Sequence, residues 1–556
     1  MKSFKLNVLF FLLLFHKSLS VIVEIEDGQM EGTTMQSRKG INFHAFLKIP
    51  FAKPPIGDLR FQAPVENEKY NGILNATAYG PVCYQKIEYD NFEQSEDCLH
   101  LNVYTKDLQP KSLKPVIAYL HGGSYQFGSA GDSRPNYLMD RDIVFVTIGY
   151  RLNALGFLAI GTEDAVGNMG LKDQAMALKW IQKNIEKFGG DPKSVTLSGL
   201  SAGASASTAH LVSSMSNNLI HKVIAASAAI TRQTGLKNDN LELTKEMAKR
   251  LNCPTDLDEM MKCLKQKNGK EIALAADFGY HQCVVRPFGP VIEPDLGQER
   301  FLKAEPSELF KNGNFLRVPI LIGITAYEFA DVVRNIFNNQ TSLKELNENF
   351  AEFTSNCFSY TPTEKNSEIL RKYYFPYDKI DGRSFDNLNQ LSADGTIGYG
   401  VHRLVHYTSK FTDVYYYKFS YIGRFSIFNY PNDRPYGVHH VDDIQYTVTY
   451  RAFDGRFIKE NDPENFMVER MTRIWEQFAK AGNPNNLNDE FLNEMHWPKH
   501  DNENEYYLDI GLHLIEKQGL YLKRYSIWDS LENSANNIKF VSVSMILVTF
   551  SLFLMS

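Results

Sequence analysis

The stretch Ser194-Val195-Thr196-Leu197-Ser198-Gly199-Leu200-Ser201-Ala202-Gly203 constrains this chain more than any other. A β-branched strand runs into Gly-x-Ser-x-Gly, and a helix of small residues, Ala204 to Ser213, follows. Glycine on each side lets the backbone turn sharply with little side-chain obstruction. Such a turn lifts one serine hydroxyl clear of a sheet and sets it at a helix N-terminus. There the dipole and the free N–H groups favour developing negative charge. This is how a serine nucleophile is presented for acyl transfer. The five-residue pattern alone is common. Its weight here comes from the strand before it, the helix after it, and Gly189-Gly190-Asp191-Pro192, which punctuates an earlier helix.

A serine of this kind needs an oxyanion hole, with backbone N–H groups from a loop after an earlier strand. The apolar run Pro115 to Leu120 ends in His121-Gly122-Gly123-Ser124. The candidate donors are the N–H groups of Gly123, Ser124 and Ala202. An acid and then a histidine should follow the serine along the chain. The strand Val318 to Gly323 leads to Ile324-Thr325-Ala326-Tyr327-Glu328, and open α/β sheets place their sites just past such strand ends. Gly437-Val438-His439-His440-Val441-Asp442-Asp443 supplies two adjacent histidines among the fourteen of the chain, and spacing does not choose between them.

Longer motifs carry a family resemblance. They are Leu47-Lys48-Ile49-Pro50-Phe51-Ala52-Lys53-Pro54-Pro55-Ile56-Gly57-Asp58-Leu59-Arg60-Phe61, Glu96-Asp97-Cys98-Leu99-His100-Leu101-Asn102-Val103-Tyr104 and Gly149-Tyr150-Arg151-Leu152-Asn153. Gly167-Asn168-Met169-Gly170-Leu171-Lys172-Asp173-Gln174 and Phe188-Gly189-Gly190-Asp191-Pro192 complete them. With these, the chain resembles the type-B carboxylesterase/cholinesterase family of α/β-hydrolases from about Val21 to Trp528, and insect carboxylesterases most in pattern. The resemblance implies an α/β fold: a large, mostly parallel twisted sheet with helices on both faces, after an antiparallel N-terminal portion. It places the nucleophile on Ser201, the acid on Glu328 and the histidine of a Gly-x-x-His-x-x-Asp pattern on His440. It implies ester hydrolysis through an acyl-enzyme, without metal or cofactor, and disulfides Cys83–Cys98 and Cys253–Cys263. Cys283 and Cys357 stay open between a third bridge and free thiols.

The chain departs from the family pattern in three places. Leu200 stands before the nucleophile where Glu is common, Phe329 follows the acid where Gly is common, and Ser124 replaces Gly or Ala. None removes a backbone N–H. Leu200 removes a negative charge beside the nucleophile, which favours neutral, apolar esters over cationic ones. The loop between Cys83 and Cys98 contains Tyr84, Tyr89 and Phe92 but no tryptophan, and cholinesterases hold choline on a tryptophan there. Juvenile hormone esterases resemble this chain too, yet that group carries Gln at the position of Leu200. Adhesion proteins of the same fold lack the triad that this chain retains.

The termini point outward from the cell. Residues 1–20 have a basic start, an apolar run from Leu6 to Phe15, and Ser18 and Ser20 near a cleavage point, the pattern of a secretory signal peptide. Asn75-Ala76-Thr77 and Asn339-Gln340-Thr341 are N-glycosylation acceptors in such a chain. The catalytic domain is expected over 21–532. The tail 533–556 turns from polar to apolar and resembles a GPI signal or a tail anchor.

Site residues scattered from Gly122 to His440 require one domain. No cluster has metal-ligand spacing, and a net charge of −6 gives no electrostatic case for nucleic acid. Strands are predicted at Val21–Ile25, Leu101–Tyr104, Val116–Leu120, Ile143–Ile148, Val195–Leu197, Ile320–Ile322 and Val414–Phe419. Helices are predicted at Gly170–Lys187 and Met467–Ala481. A helical segment between Leu236 and Ile272 is expected to help cover the site.

Overall fold

The computed structural model describes residues 21–88, 92–231, 236–278, 288–358, 363–426, 437–450 and 457–531. Residues 1–20, expected to be a signal peptide, the C-terminal tail 533–556, Tyr89 and Cys283 lie outside them.

Among the described residues thirteen strands form one sheet: β1 (Val21–Ile25), β2 (Gly28–Gln36), β3 (Asn42–Pro50), β4 (Ile73–Asn75), β5 (His100–Thr105), β6 (Lys114–Leu120), β7 (Val144–Ile148), β8 (Gly190–Leu200), β9 (Lys222–Ala226), β10 (Ile320–Thr325), β11 (Val414–Phe419), β12 (Tyr506–Ile510) and β13 (Leu514–Gln518). Their order is β1-β2-β3-β5-β7-β6-β8-β9-β10-β11-β12-β13, with β4 beside β2. From β7 to β12 every neighbouring pair is parallel. β1–β2, β2–β3, β3–β5 and β5–β7 pair antiparallel, as does the β12–β13 hairpin, while β4 runs parallel to β2. This is the α/β arrangement expected from the sequence.

The helices that frame the site are α1 (Met169–Asn184), α2 (Ala202–His210), α3 (Leu241–Arg250), α4 (Leu257–Gln266), α5 (Gly269–Ala275), α6 (Ala330–Asn338), α7 (Phe385–Ala393), α8 (Tyr399–Thr408) and α9 (Asn465–Ala481). Side chains alternate across a strand, so a central strand must be apolar on both faces. On β6, Val116, Ala118 and Leu120 join the core that holds Leu171, Leu178 and Ile181 of α1 and the alanines of α2. Ile117 and Tyr119 join the other core, with Met471, Trp475 and Phe478 of α9. A third core, under α6 and α7, gathers Val333, Leu388 and Leu391 around Tyr399, Tyr525 and Trp528.

The predicted strands are present, most of them longer than their apolar runs because ladder bonding continues through polar residues such as His100 and Thr105. The strand predicted at Val195–Leu197 begins at Gly190, which pairs with Lys114, and continues to Leu200. The strand predicted from Ile143 begins at Val144. The helix after the serine spans Ala202–His210 rather than Ala204–Ser213, and Ser213 instead caps the next turn by accepting from the Met215 amide. α1 gives way at Asn184 to a 3-10 turn, Ile185–Phe188, before Gly189 at φ 77°. The segment from Leu236 to Ile272 is helical, as α3, α4 and the start of α5.

The family-like motifs meet one another in space. Arg60 makes a two-pronged pair with Glu96, and Arg151 does the same with Asp173. Bidentate Arg–carboxylate pairs are geometrically demanding, which explains long, ordered motifs at distant points of the chain. Disulfides join Cys83 to Cys98 and Cys253 to Cys263. Cys357 is also disulfide-bonded.

Candidate active site

Parallel strands put their carboxyl ends on one edge, and the candidate residues follow those ends. Ser201 comes directly after β8 and caps α2 with φ 56° and ψ −123°, a strained conformation for a non-glycine residue. The flanking glycines are there for space. A Cβ on Gly203 would lie 2.1 Å from the Leu120 carbonyl oxygen, and one on Gly199 2.3 Å from the backbone of Gly203. The Ser201 amide donates to the Ala226 carbonyl at 2.8 Å, which anchors the turn to β9.

The loop after β6 lies against this turn. A Cβ on Gly122 would meet the Ser201 Cβ at 3.2 Å. Gly123 has φ 106°, and Ser124 and Tyr125 follow at 56° and 63°. Three positive φ values in succession reverse the chain, and the amides of Gln126 and Phe127 donate to the Gly123 carbonyl to close it. Ala202 opens α2, so its N–H is one of those with no intrahelical acceptor. Gly122 therefore lies against the serine turn, with the candidate donors Gly123 and Ser124 next along that loop and Ala202 at the start of α2.

Glu328 lies three residues past β10 and is buried. One carboxylate oxygen accepts from the Thr325 amide at 2.9 Å, and the other accepts from His440 Nδ1 at 2.6 Å. A carboxylate partner on Nδ1 fixes the proton there and leaves Nε2 as the basic nitrogen. Of the two adjacent histidines, His440 is the one hydrogen-bonded to Glu328. His439 instead forms a one-residue parallel bridge with Tyr327, and the Tyr327 amide donates to Val438 at 2.8 Å. That bridge ties the loop of the acid to the loop of the histidine. Val441, next in the chain, has φ 82°, a further strained position for a β-branched residue.

Several contributors were not singled out from the sequence. Asp443, the Asp of the Gly-x-x-His-x-x-Asp pattern, accepts from the Tyr417 hydroxyl at 2.8 Å. Burial pushes the Asp443 carboxyl up to about 6, with the charge of Glu328 adding to the shift. Asp442 accepts from the His439 amide at 2.8 Å and is pushed up to about 7, first by burial. Asn389 of α7 donates to the Glu328 carbonyl at 3.0 Å. The motif spacing was the available signal for Asp443. Tyr417 and Asn389 carried none, because only the fold brings them near.

Leu200 is buried in the α9-side core. Asn75 is exposed, and its side-chain oxygen accepts from both the amide and the hydroxyl of Thr77. Asn339 is exposed too and caps the helix Gln340–Glu348. Among the described residues no His/Cys/Asp/Glu cluster could hold a metal ion.

The carboxylesterase family profile matches residues 19–528. Esterase E4 of Myzus persicae is 34% identical over 492 residues, which cover 84% of this chain and 87% of that protein. Juvenile hormone esterase of Tribolium castaneum is 32% identical over 508 residues, 85% of this chain and 86% of its own. Pyrethroid hydrolase Ces2e of Rattus norvegicus is 31% identical over 534 residues, 92% and 90% of the two chains.

Proposed function

The chain belongs to the carboxylesterase family and is a carboxylic ester hydrolase, and we propose that it works through an acyl-enzyme on Ser201. His440 Nε2 takes the proton from Ser201 Oγ as that oxygen adds to the ester carbonyl carbon. The carbonyl oxygen becomes an oxyanion and accepts from the N–H groups of Gly123, Ser124 and Ala202. The C–O bond to the alcohol breaks, and His440 gives its proton to the departing alkoxide oxygen. Water repeats the addition with His440 as base, which releases the acid and restores Ser201. Glu328 holds the imidazole in the productive tautomer and stabilises its charged form. The observation that carries this reading is the buried Glu328–His440 hydrogen bond on the strand-end edge that also bears the strained serine turn.

The substrate is a neutral, apolar ester. Leu200 supports this, since it puts a buried alkyl group where a carboxylate would favour a cation. The test is hydrolysis of 4-nitrophenyl acetate, butyrate and octanoate, acetylthiocholine and a juvenile hormone by the secreted protein and by Ser201→Ala. Neutral esters should be cleaved and the variant should be inactive. Fast acetylthiocholine turnover would overturn the substrate reading, and selective hormone cleavage would narrow it to a hormone esterase.

The enzyme acts outside the cell, with residues 1–20 removed as a signal peptide. Its disulfides support an oxidising compartment. Among the described residues no helix is long and apolar enough to cross a membrane. Asn75 and Asn339 carry N-glycans, and the tail 533–556 directs attachment to the cell surface. Glycosidase treatment should lower the mass of the secreted protein, by one step less in Asn75→Gln. A phospholipase that cuts GPI anchors should release the surface-bound form.

A further inference from the structure

Phe329 breaks two local rules at once. It follows the acid at φ 58° and ψ 28°, in the left-handed region that disfavours a bulky side chain. It also occupies the N-cap of α6 and makes no side-chain cap hydrogen bond, where Ser, Thr, Asp or Asn would satisfy a free amide. Sequences that break local rules tend to do so at functional sites. What Phe329 gains is a place beside the imidazole. Its ring stacks on His440 with centroids 4.4 Å apart and planes 30° apart, and it is 8% exposed.

The Glu328 hydrogen bond alone fixes only one edge of the His440 ring. Rotation about that bond would swing Nε2 away from a serine proton, and small misplacements of a catalytic group are costly. A ring stacked on the flat face removes that rotation. An aromatic face also attracts a cation, and the imidazole becomes a cation once it has taken the serine proton. We propose that Phe329 is a positioning residue for His440, clamping the imidazole plane and favouring its protonated form. The proposal rests on His440 being the general base. The ionisable groups that act on this neighbourhood are Glu328 on Nδ1, Asp331 from α6, His439 and Asp443 from the histidine loop, and Asp442 and Tyr417 through Glu328 or Asp443. Arg334 of α6 acts on His439. A substitution at residue 329 removes none of these ionisable groups.

The test compares Phe329→Leu and Phe329→Tyr with the wild type in the pH profile of kcat/KM for a neutral 4-nitrophenyl ester. Leu keeps apolar cover and loses the aromatic face, whereas Tyr keeps the face. In Phe329→Leu the acid limb should move to lower pH by roughly half a unit to one unit, with kcat down by about tenfold and KM changed less than about threefold. Phe329→Tyr should keep the wild-type limb. The limb decides the question. A downward shift in the Leu variant supports the proposal, and a limb that stays or moves up overturns it even if kcat falls, because lost packing alone gives that result. Phe329→Met carries the same test if the Leu variant is not recovered folded. His440→Gln is run beside them. If it keeps activity, the assignment of the base fails, which is a different result from an unmoved limb in Phe329→Leu.

Discussion

Glu469 and Asp443 are both buried acids packed under the same sheet, yet they meet opposite surroundings. Glu469, in α9, receives Arg38, Lys39, Arg141 and Arg473. Burial raises its carboxyl, but the hydrogen bonds and charges of Lys39 and Arg141 outweigh that and leave it at about 2. Asp443 has a phenol for a partner and Glu328 for a neighbour, and burial leaves it at about 6. A buried carboxyl thus stays charged to low pH where cations surround it, and keeps its proton to a higher pH where they do not. The first cluster ties the β2–β3 turn, the loop before β7 and α9 together. The second surrounds an imidazole that must gain and lose a proton twice in each catalytic cycle. One region serves stability and the other chemistry, and substitutions should separate the two.

Ser201→Ala should have the largest effect, a fall in kcat of about 10⁵-fold with the unfolding temperature unchanged. Steady-state hydrolysis and a thermal melt check both parts. Glu328→Gln keeps the shape but presents the wrong partner to Nδ1, and should cost about 10⁴-fold in kcat. Glu469→Gln should do the reverse. It strands several buried cations and should cost about 3–5 kcal/mol in urea unfolding, with kcat within about twofold. A large loss of kcat there, at full stability, would break the comparison.

The pH dependence of stability sharpens it. Glu469 titrates lower folded than unfolded, so its contribution is present above about 4.5 and lost as the pH falls toward about 2. Asp442 and Asp443 titrate higher folded than unfolded. Their contribution is present below about 3.8 and lost as the pH rises through about 6 and 7. Urea midpoints across pH should therefore flatten on the acid side in Glu469→Gln and between pH 4 and 7 in Asp442→Asn. The smallest effect is expected of Leu200→Glu. A carboxylate there should shift the ratio of acetylthiocholine to neutral-ester turnover by about tenfold toward the cation.

What was legible in the sequence followed the range of the forces. The serine turn was legible because Gly199 and Gly203 are required by contacts within a few residues and with one neighbouring strand. The central strands were legible because burial on both faces leaves continuous apolar runs. The choice of His440 came from family resemblance and not from the residues themselves. Its bond to Glu328 spans 112 positions and depends on the β10–β11 pairing and the Tyr327–His439 bridge. β9 was not predicted, because Lys-Val-Ile-Ala-Ala is short and reads as readily as helix until β8 and β10 flank it. The aromatic core under α6 and α7 was missed for a similar reason, since Tyr525 and Trp528 reach it from the far end of the chain.

The central claim is that Ser201 is the nucleophile activated by His440. The most direct measurement is peptide mapping by mass spectrometry after reaction with a fluorophosphonate. One adduct on the peptide carrying Ser201, absent from Ser201→Ala and formed at least about 100-fold more slowly in His440→Gln, is the predicted result. An adduct on another residue, or none on folded wild-type protein, would contradict it.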